Sequence, residues 1–288
     1  MTQDSAVNSG KKAGSSSDLT AAEALAALDW YQSVGVDVLV ADTPIAWTEH
    51  RPPKTVTQNQ PPAARPQAGA QAGAAAGTGP LGTAEAVIEA QKLAATADSL
   101  EALKAVLAKF DGLSIAKTAR NMVFADGNPD APLMIIGEAP GREEDESGLP
   151  FVGVSGKLLD KILAAIGRDR TSTYISNIVN WRPPGNRKPS QGEIDVCLPF
   201  IARHIALAKP EVIVLLGDVA GKALLPVTQG ITRYRGQWHD YQPAPESDSI
   251  PAMASFHPSF LLRTPAKKRE SWQDFLSVKA RLSSATNG

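Results

Sequence analysis

Four short apolar runs recur from residue 132 onward and indicate a parallel β-sheet. The runs PLMIIG (132–137), TYISNIV (173–179), EVIVLLG (211–217) and AMASF (252–256) start about forty residues apart. The helix-length segments SGKLLDKILAAIG and EIDVCLPFIARHIALA separate the first three runs. Strands that alternate with helices are typical of βαβ units. The pattern therefore predicts an α/β fold with a central sheet of four parallel strands.

The segment before the first apolar run has apolar residues at helical spacing. Residues 83–96 and 98–110 each predict one helix, and Asp98 and Glu101 at the start of the second have the spacing of a capping box. The segment ITRYRGQWHDY (231–241), just before the fourth run, favours a small antiparallel hairpin.

Composition divides the N-terminal part of the chain into three segments. Residues 1–17 are small and polar, so we expect them to be disordered. Residues 18–50 regain helical spacing and predict a tethered helical segment. Residues 51–83 contain six Pro, five Gly and eight Ala, which is typical of a flexible linker. The folded, catalytic domain is therefore expected over residues 84–288.

Charge and cysteine content narrow the function classes. A formal net charge of −1 argues against a protein that coats polyanions, although a local basic patch remains compatible with it. The apolar runs are shorter than a membrane span, and the N-terminus lacks the apolar core of a secretory signal, so a cytoplasmic protein is expected. Cys197 is the one cysteine, and the four histidines lack metal-ligand spacing. No metal site is predicted.

Polar residues and helix breakers follow each predicted strand. Glu138–Gly141 follows the first run, Trp181–Gly185 the second, Asp218 the third and His257–Ser259 the fourth. Because open α/β sheets bind ligands at the carboxyl ends of their strands, this edge is the expected site.

Four residues near this edge could carry chemistry. Glu138, Phe151, Asn177 and His257 each also have a structural interpretation, as a helix cap, a core ring, a hydrogen-bonded strand amide and a structural histidine. Their convergence on one edge favours a functional site. The chain has no Walker loop, no G-x-G-x-x-G after a strand and no G-x-S-x-G elbow. The acidic run Glu143–Asp145 is predicted to be a solvated loop face.

Three longer motifs resemble those of uracil-DNA glycosylases. They are GEAPGREEDESGLPFVGVSGKLLD, YISNIVNWRPPGNRKPSQGEIDVCLPF and FHPSFLLR, in that order, within residues 110–272. The resemblance is to the branch of families four and five, and it implies a three-layer α/β/α fold around the four-stranded sheet.

The resemblance implies a role for each of the four residues. His257 would donate a hydrogen bond to the charge that develops on uracil O2. Phe151 would stack under a base that has left the helix, and Asn177 would bind its N3–H and O4 edge. Glu138 would orient or activate water, or stabilise the cationic sugar. Together they would release uracil and leave an abasic site.

Two neighbouring positions in the first motif would also contact the substrate. Ala139 stands where family one has an acidic residue, and Gly141 stands where that family has a bulky ring that rejects thymine. Glycosylase activity on other deaminated bases, such as hypoxanthine or xanthine, is therefore an alternative to uracil excision.

The resemblance also implies contacts to single- or double-stranded uracil-containing DNA. Leu261 matches the wedge that fills the space of the flipped base, with Leu262 beside it. Phosphate contacts are expected from four basic residues, Arg182, Arg187, Lys188 and Arg263, and Ser259 is a further expected DNA-binding residue.

Relatives in this branch ordinarily hold an iron–sulfur cluster with four cysteines. Here three of those positions are Phe110, Leu113 and Trp181, and only Cys197 remains. One thiol cannot hold such a cluster. We expect no cofactor, and an apolar cluster in its place. This loss also motivates a second alternative, a non-catalytic module that binds damaged DNA. A monomer is expected.

Overall fold

A computed structural model of the chain describes residues 83–285. The predictions for residues 1–17, 18–50 and 51–82 fall outside this part. Its strands are β1 (Asp126–Gly127), β2 (Leu133–Gly137), β3 (Tyr174–Asn177), β4 (Val212–Leu216), β5 (Trp238–Tyr241) and β6 (Ile250–Ser255). Its helices are α1 (Thr83–Thr96), α2 (Leu100–Lys109), α3 (Ser114–Thr118), α4 (Arg142–Ser147), α5 (Val154–Ala165), α6 (Gln191–Ala208), α7 (Asp218–Leu224), α8 (Ile231–Tyr234), α9 (Pro258–Arg263) and α10 (Lys268–Ala285). No helix within residues 83–285 is long and apolar enough to span a membrane.

The six strands form one sheet in the order β1-β3-β2-β4-β6-β5. The four predicted strands are β2, β3, β4 and β6, and they pair in parallel. The sheet is wider than predicted because β1 and β5 add antiparallel edges. Strand β1 has two residues, too few to produce an apolar pattern.

The predicted hairpin region is half correct. Strand β5 pairs antiparallel with β6, as expected. The preceding Ile231–Tyr234 is a helical turn rather than a strand. Tyr234 is buried there, and its hydroxyl lies 3.2 Å from the Asp218 carboxylate. The turn thus anchors this segment to α7.

Helices cover both faces of the sheet. Along β2, Met134 and Ile136 belong to one hydrophobic core, which includes residues of α1, α2 and α6. Leu133 and Ile135 belong to the other, which includes residues of α5 and α10. Side chains of a strand alternate between faces, so a parallel strand buried on both faces is apolar throughout. The three-layer α/β/α fold is confirmed.

The N-terminal cap of α2 differs by one residue from the prediction. Ser99 has extended backbone angles, and its side chain accepts a hydrogen bond from the amide of Ala102 at 3.1 Å. Asp98 therefore does not cap the helix. Serine and aspartate are both favoured caps, so the sequence alone did not separate these neighbours.

Candidate active site

A cavity of about 760 Å³ opens at the carboxyl edge of the sheet. Glu138, Phe151, Asn177 and His257 all line it, as the strand order predicts. The wall also includes Ala139, Gly141, Arg142, Glu143, Glu144, Ser155, Asn186, Arg187, Ser259 and Arg263. The fold therefore brings the four candidate side chains to one cavity.

Asn177 ends β3 and pairs in register with Gly137 of β2. Its side chain is 2% exposed, and its Oδ1 has no hydrogen-bond partner within residues 83–285. A buried acceptor without a partner is uncommon in folded proteins and needs an explanation. Since Asn177 lines the cavity, an N–H donor on a ligand would satisfy this oxygen.

Gly137 makes room for two of the site side chains. A Cβ at this position would lie 2.4 Å from Asn177 Oδ1 and 2.5 Å from Phe151 Cζ. Both distances are far below van der Waals contact. The glycine that ends β2 therefore allows the amide and the ring to meet at the strand end.

Phe151 adopts an unusual backbone conformation. Its φ is 55°, in the left-handed region that bulky residues rarely occupy. The ring is 5% exposed and lies 5.6 Å from the His257 ring, with 30° between the planes. Glycine is required at position 156, because a Cβ there would lie 1.6 Å from the Phe151 carbonyl oxygen.

Ser259 fixes the tautomer of His257. The Ser259 amide donates to His257 Nδ1 at 3.1 Å, and Ser259 Oγ lies 2.8 Å from the same nitrogen. A backbone N–H can only donate, so Nδ1 accepts and the neutral ring carries its proton on Nε2. His257 thus presents an N–H donor.

The environment of His257 keeps the ring neutral. Burial lowers its pKa to about 4, with a further contribution from the Arg263 charge and an opposing one from Glu144. The sign follows from desolvation, which disfavours the charged imidazolium. At neutral pH the ring is therefore an uncharged hydrogen-bond donor.

Glu138 follows β2 directly and is partly buried. Burial raises its pKa above the usual value; the positive charge of Lys188 opposes this rise and the negative charge of Asp218 adds to it. Within residues 83–285 its carboxylate has no hydrogen-bond partner. The group is free to meet a ligand.

The acidic run Glu143–Asp145 was predicted to be a solvated loop face; Glu143 is exposed, but the prediction is wrong for the other two acids and for the loop. It forms helix α4, and Glu144 accepts hydrogen bonds from the amides of Gly141, Val152 and Gly153, each at 3.0 Å. Asp145 is 7% exposed and accepts from the amides of Arg120 and Asn121 at 2.8 and 3.2 Å. The two carboxylates hold the cavity wall together. Gly141 has no side chain to complete a capping box, so its spacing to Glu144 gave no sequence signal for this arrangement.

Comparison with known proteins identifies the family. Residues 124–276, more than half of the chain, match the profile of the Uracil DNA glycosylase superfamily. The chain belongs to this superfamily. A type-4 uracil-DNA glycosylase of Pyrobaculum aerophilum is 34% identical over 179 residues, which is 61% of this chain and 90% of the relative. The type-4 enzyme of Thermotoga maritima is 39% identical over 144 residues, 50% of this chain and 72% of the relative. The type-5 enzyme of P. aerophilum is 25% identical over 148 residues, 46% and 63% respectively.

The wedge predicted from the superfamily pattern needs a correction. Leu261 is 1% exposed and lines a small apolar cleft of about 210 Å³ between α5, α9 and α10. Leu261 is therefore part of the packing between these helices rather than an exposed side chain. Leu262 is 39% exposed and is the leucine of α9 that is available to a partner. Neighbouring helical residues point about 100° apart, which separates the two.

The basic residues predicted for the superfamily's DNA contacts divide into two groups. Arg187 binds both oxygens of Glu193, at 2.7 and 2.8 Å, so its charge is neutralised. Arg182 donates to Asn186 Oδ1 at 2.7 Å. Lys188 and Arg263 form no ion pair with an acidic side chain in the part of the chain that the structure describes.

The iron–sulfur cluster of the related branch does not fit the residues of this superfamily member. Phe110, Leu113 and Trp181 are at most 5% exposed and share one hydrophobic core with Cys197, which is fully buried. The Phe110 ring packs 5.2 Å from that of Phe200. None of the three replacements offers a thiolate, and burial raises the pKa of Cys197 to about 12. The position is an apolar core.

Proposed function

We propose that this protein is a monofunctional uracil-DNA glycosylase that flips uracil out of DNA, hydrolyses its N-glycosidic bond and starts base excision repair. The observation that carries the proposal is the unpartnered Asn177 Oδ1, which lines one cavity together with Phe151 and the Nε2–H tautomer of His257. The names of the type-4 relatives support it.

Asn177 would select uracil over cytosine. The N3–H of uracil would donate to Asn177 Oδ1, whereas cytosine has no hydrogen at N3 in its neutral form. Leaving a buried acceptor unpaired costs about 1–3 kcal/mol, which corresponds to a preference of roughly five- to 150-fold. Phe151 would stack against the base and hold it at this edge.

His257 would stabilise the leaving group. As the glycosidic bond breaks, its electrons move onto uracil and charge develops at O2. A preorganised donor at that oxygen stabilises the transition state more than the ground state. The neutral Nε2–H supplies such a donor without requiring protonation at neutral pH.

Glu138 would act at the sugar. Its carboxylate would either orient the attacking water or stabilise the positive charge that develops on deoxyribose. The variant Glu138→Gln distinguishes these roles, since glutamine keeps the shape and an acceptor oxygen but loses the charge. A loss equal to that of Glu138→Ala would assign the role to charge.

DNA would be held at the rim of the cavity. Within residues 83–285, Lys188 and Arg263 form no ion pair with a carboxylate at contact distance, and both are suited to phosphate contacts. Leu262 would occupy the space that the flipped base leaves. Ser259 would act indirectly, through its hydrogen bonds to His257.

The decisive test uses oligonucleotides with one deoxyuridine, in single- and double-stranded form. Purified full-length protein is expected to release free uracil and leave alkali-labile abasic sites. His257→Ala and Asn177→Ala should each lose most of the activity. Asn128→Ala, at a half-buried asparagine outside the cavity, is the control and should remain within twofold of the parent. Tight DNA binding without uracil release would instead establish a non-catalytic binding module.

Base specificity needs a panel of substrates. Gly141 places no side chain at the position where a ring would reject larger bases, so hypoxanthine and xanthine belong on that panel. A Cβ at Gly141 would lie 2.7 Å from Glu144 Oε2, so packing against Glu144 also favours glycine at this position. Preferential release of hypoxanthine or xanthine would replace uracil as the assigned substrate.

A further inference from the structure

Arg170 connects four parts of the fold through one side chain. It lies in the short 3-10 turn Arg170–Ser172 that precedes β3. Its guanidinium donates to Asp126 Oδ2 at 2.5 Å, to Asp160 Oδ1 at 2.9 Å and to the Pro150 carbonyl at 3.1 Å. It also donates to the carbonyl of Phe151 through Nη2. All three guanidinium nitrogens are engaged.

Arg170 binds the carbonyl of Phe151, the residue whose backbone has an unfavourable positive φ. Holding a phenylalanine at a φ of 55° costs on the order of 1–3 kcal/mol and requires support from its surroundings. Gly156 approaches the Phe151 carbonyl from one side, where any side chain would collide with it. Arg170 binds the same carbonyl. These two residues fix the direction of the peptide bond that follows the ring.

The two aspartates hold Arg170 in turn. The Arg170 side chain is 25% exposed, and those of Asp126 and Asp160 are 26% and 47% exposed. Asp126 lies on the edge strand β1, next to Gly127, whose φ is +93°. A Cβ at Gly127 would lie 2.1 Å from the Thr173 carbonyl oxygen. The short strand is thus packed closely enough to place a carboxylate on the guanidinium.

We propose that Arg170 is a positioning residue for excision, which holds the Phe151 ring in the plane where the flipped base stacks. This inference rests on the proposed glycosylase function. Arg170 does not line the cavity, and Phe151 is the cavity-lining residue among its four hydrogen-bond partners, so its effect would pass through Phe151. A misplacement of about 1 Å in a substrate-positioning group can lower a rate about a hundredfold.

The test compares Arg170→Gln with Arg168→Gln, in the full-length protein. Arg168 is the matched control, because it lies two residues before this turn and donates to the Ser172 carbonyl at 3.1 Å without contacting Phe151. For Arg170→Gln we expect kcat on a deoxyuridine oligonucleotide to fall by ten- to a hundredfold, with little change in KM. For Arg168→Gln we expect activity within threefold of the parent.

A double-mutant cycle with Phe151→Ala separates positioning from general destabilisation. If Arg170 acts through the ring, Arg170→Gln should have almost no further effect on kcat in the Phe151→Ala background. Multiplicative losses would overturn the proposal, as would an unchanged kcat for Arg170→Gln. If Arg170→Gln fails to fold, Asp126→Asn weakens the same guanidinium, and the same cycle applies. An inactive parent protein would refute the glycosylase function itself, which keeps the two failures distinct.

Discussion

Replacement of Gly137 by alanine tests whether the end of β2 sets the geometry of the site. The added Cβ would lie 2.4 Å from Asn177 Oδ1 and 2.5 Å from Phe151 Cζ, whereas ordinary contacts begin at 3.4 Å. One or both side chains must therefore move by about 1 Å. Because φ at Gly137 is not in the left-handed region, the backbone itself accepts alanine.

The expected consequence is a large loss of activity with a moderate loss of stability. A shift of about 1 Å in substrate-positioning groups predicts a fall of roughly a hundredfold in kcat/KM on deoxyuridine DNA. Overpacking a core position costs about 1–3 kcal/mol of unfolding free energy. Steady-state excision kinetics and urea denaturation measure the two effects separately.

Gly230→Ala is the control for this substitution. Gly230 has no atom within 4 Å of its added Cβ, and it lies outside the residues that line the cavity. It should retain parental kinetics. If Gly137→Ala folds and keeps kcat/KM within threefold of the parent, the close approach at Gly137 does not determine the position of the amide or the ring.

Three further predictions follow from burial. Leu261→Ala should lower the unfolding free energy by about 2–5 kcal/mol. Leu262→Ala should leave the unfolding free energy unchanged but lose more activity on duplex than on single-stranded DNA. Equal losses on the two forms of DNA would exclude a wedge role for Leu262. Freshly purified protein should be colourless and free of stoichiometric iron, and an iron chromophore would contradict the apolar core. Trp181→Ala should lower the unfolding free energy by about 3–5 kcal/mol. Burial lowers the pKa of His204 from 6.5 to about 3, so between these pH values the unfolded state binds a proton that the folded state does not. The unfolding free energy should therefore fall as pH drops from 6.5 toward 3, by up to about 1.4 kcal/mol per pH unit. Urea denaturation of His204→Gln should show a weaker dependence of the unfolding free energy on pH.

The parallel strands and the four central site residues were predictable because their signals are local. Each strand buried on both faces has a continuous apolar run, and each candidate residue follows such a run or lies in a recognisable motif. Topology then brings the strand ends to one edge. For this reason the linear sequence predicted the composition of the cavity well.

Other features depend on contacts between distant residues and left no local signal. Glu144 resembles any surface acid until the amides of Val152 and Gly153 are placed beside it. Arg170 contacts the carbonyl of a residue 19 positions away. The distinction between Leu261 and Leu262 depends on how α9 packs against its neighbours. Tertiary packing determines these contacts and burials, so the local sequence does not predict them.

The apolar core around Cys197 also bears on redox chemistry. Thiolates react with peroxides and alkylating agents, whereas a protonated thiol is nearly inert. With its pKa raised to about 12 and its side chain fully buried, Cys197 stays protonated and out of reach of reagents. Peroxide or an iron chelator would therefore leave this core chemically unchanged.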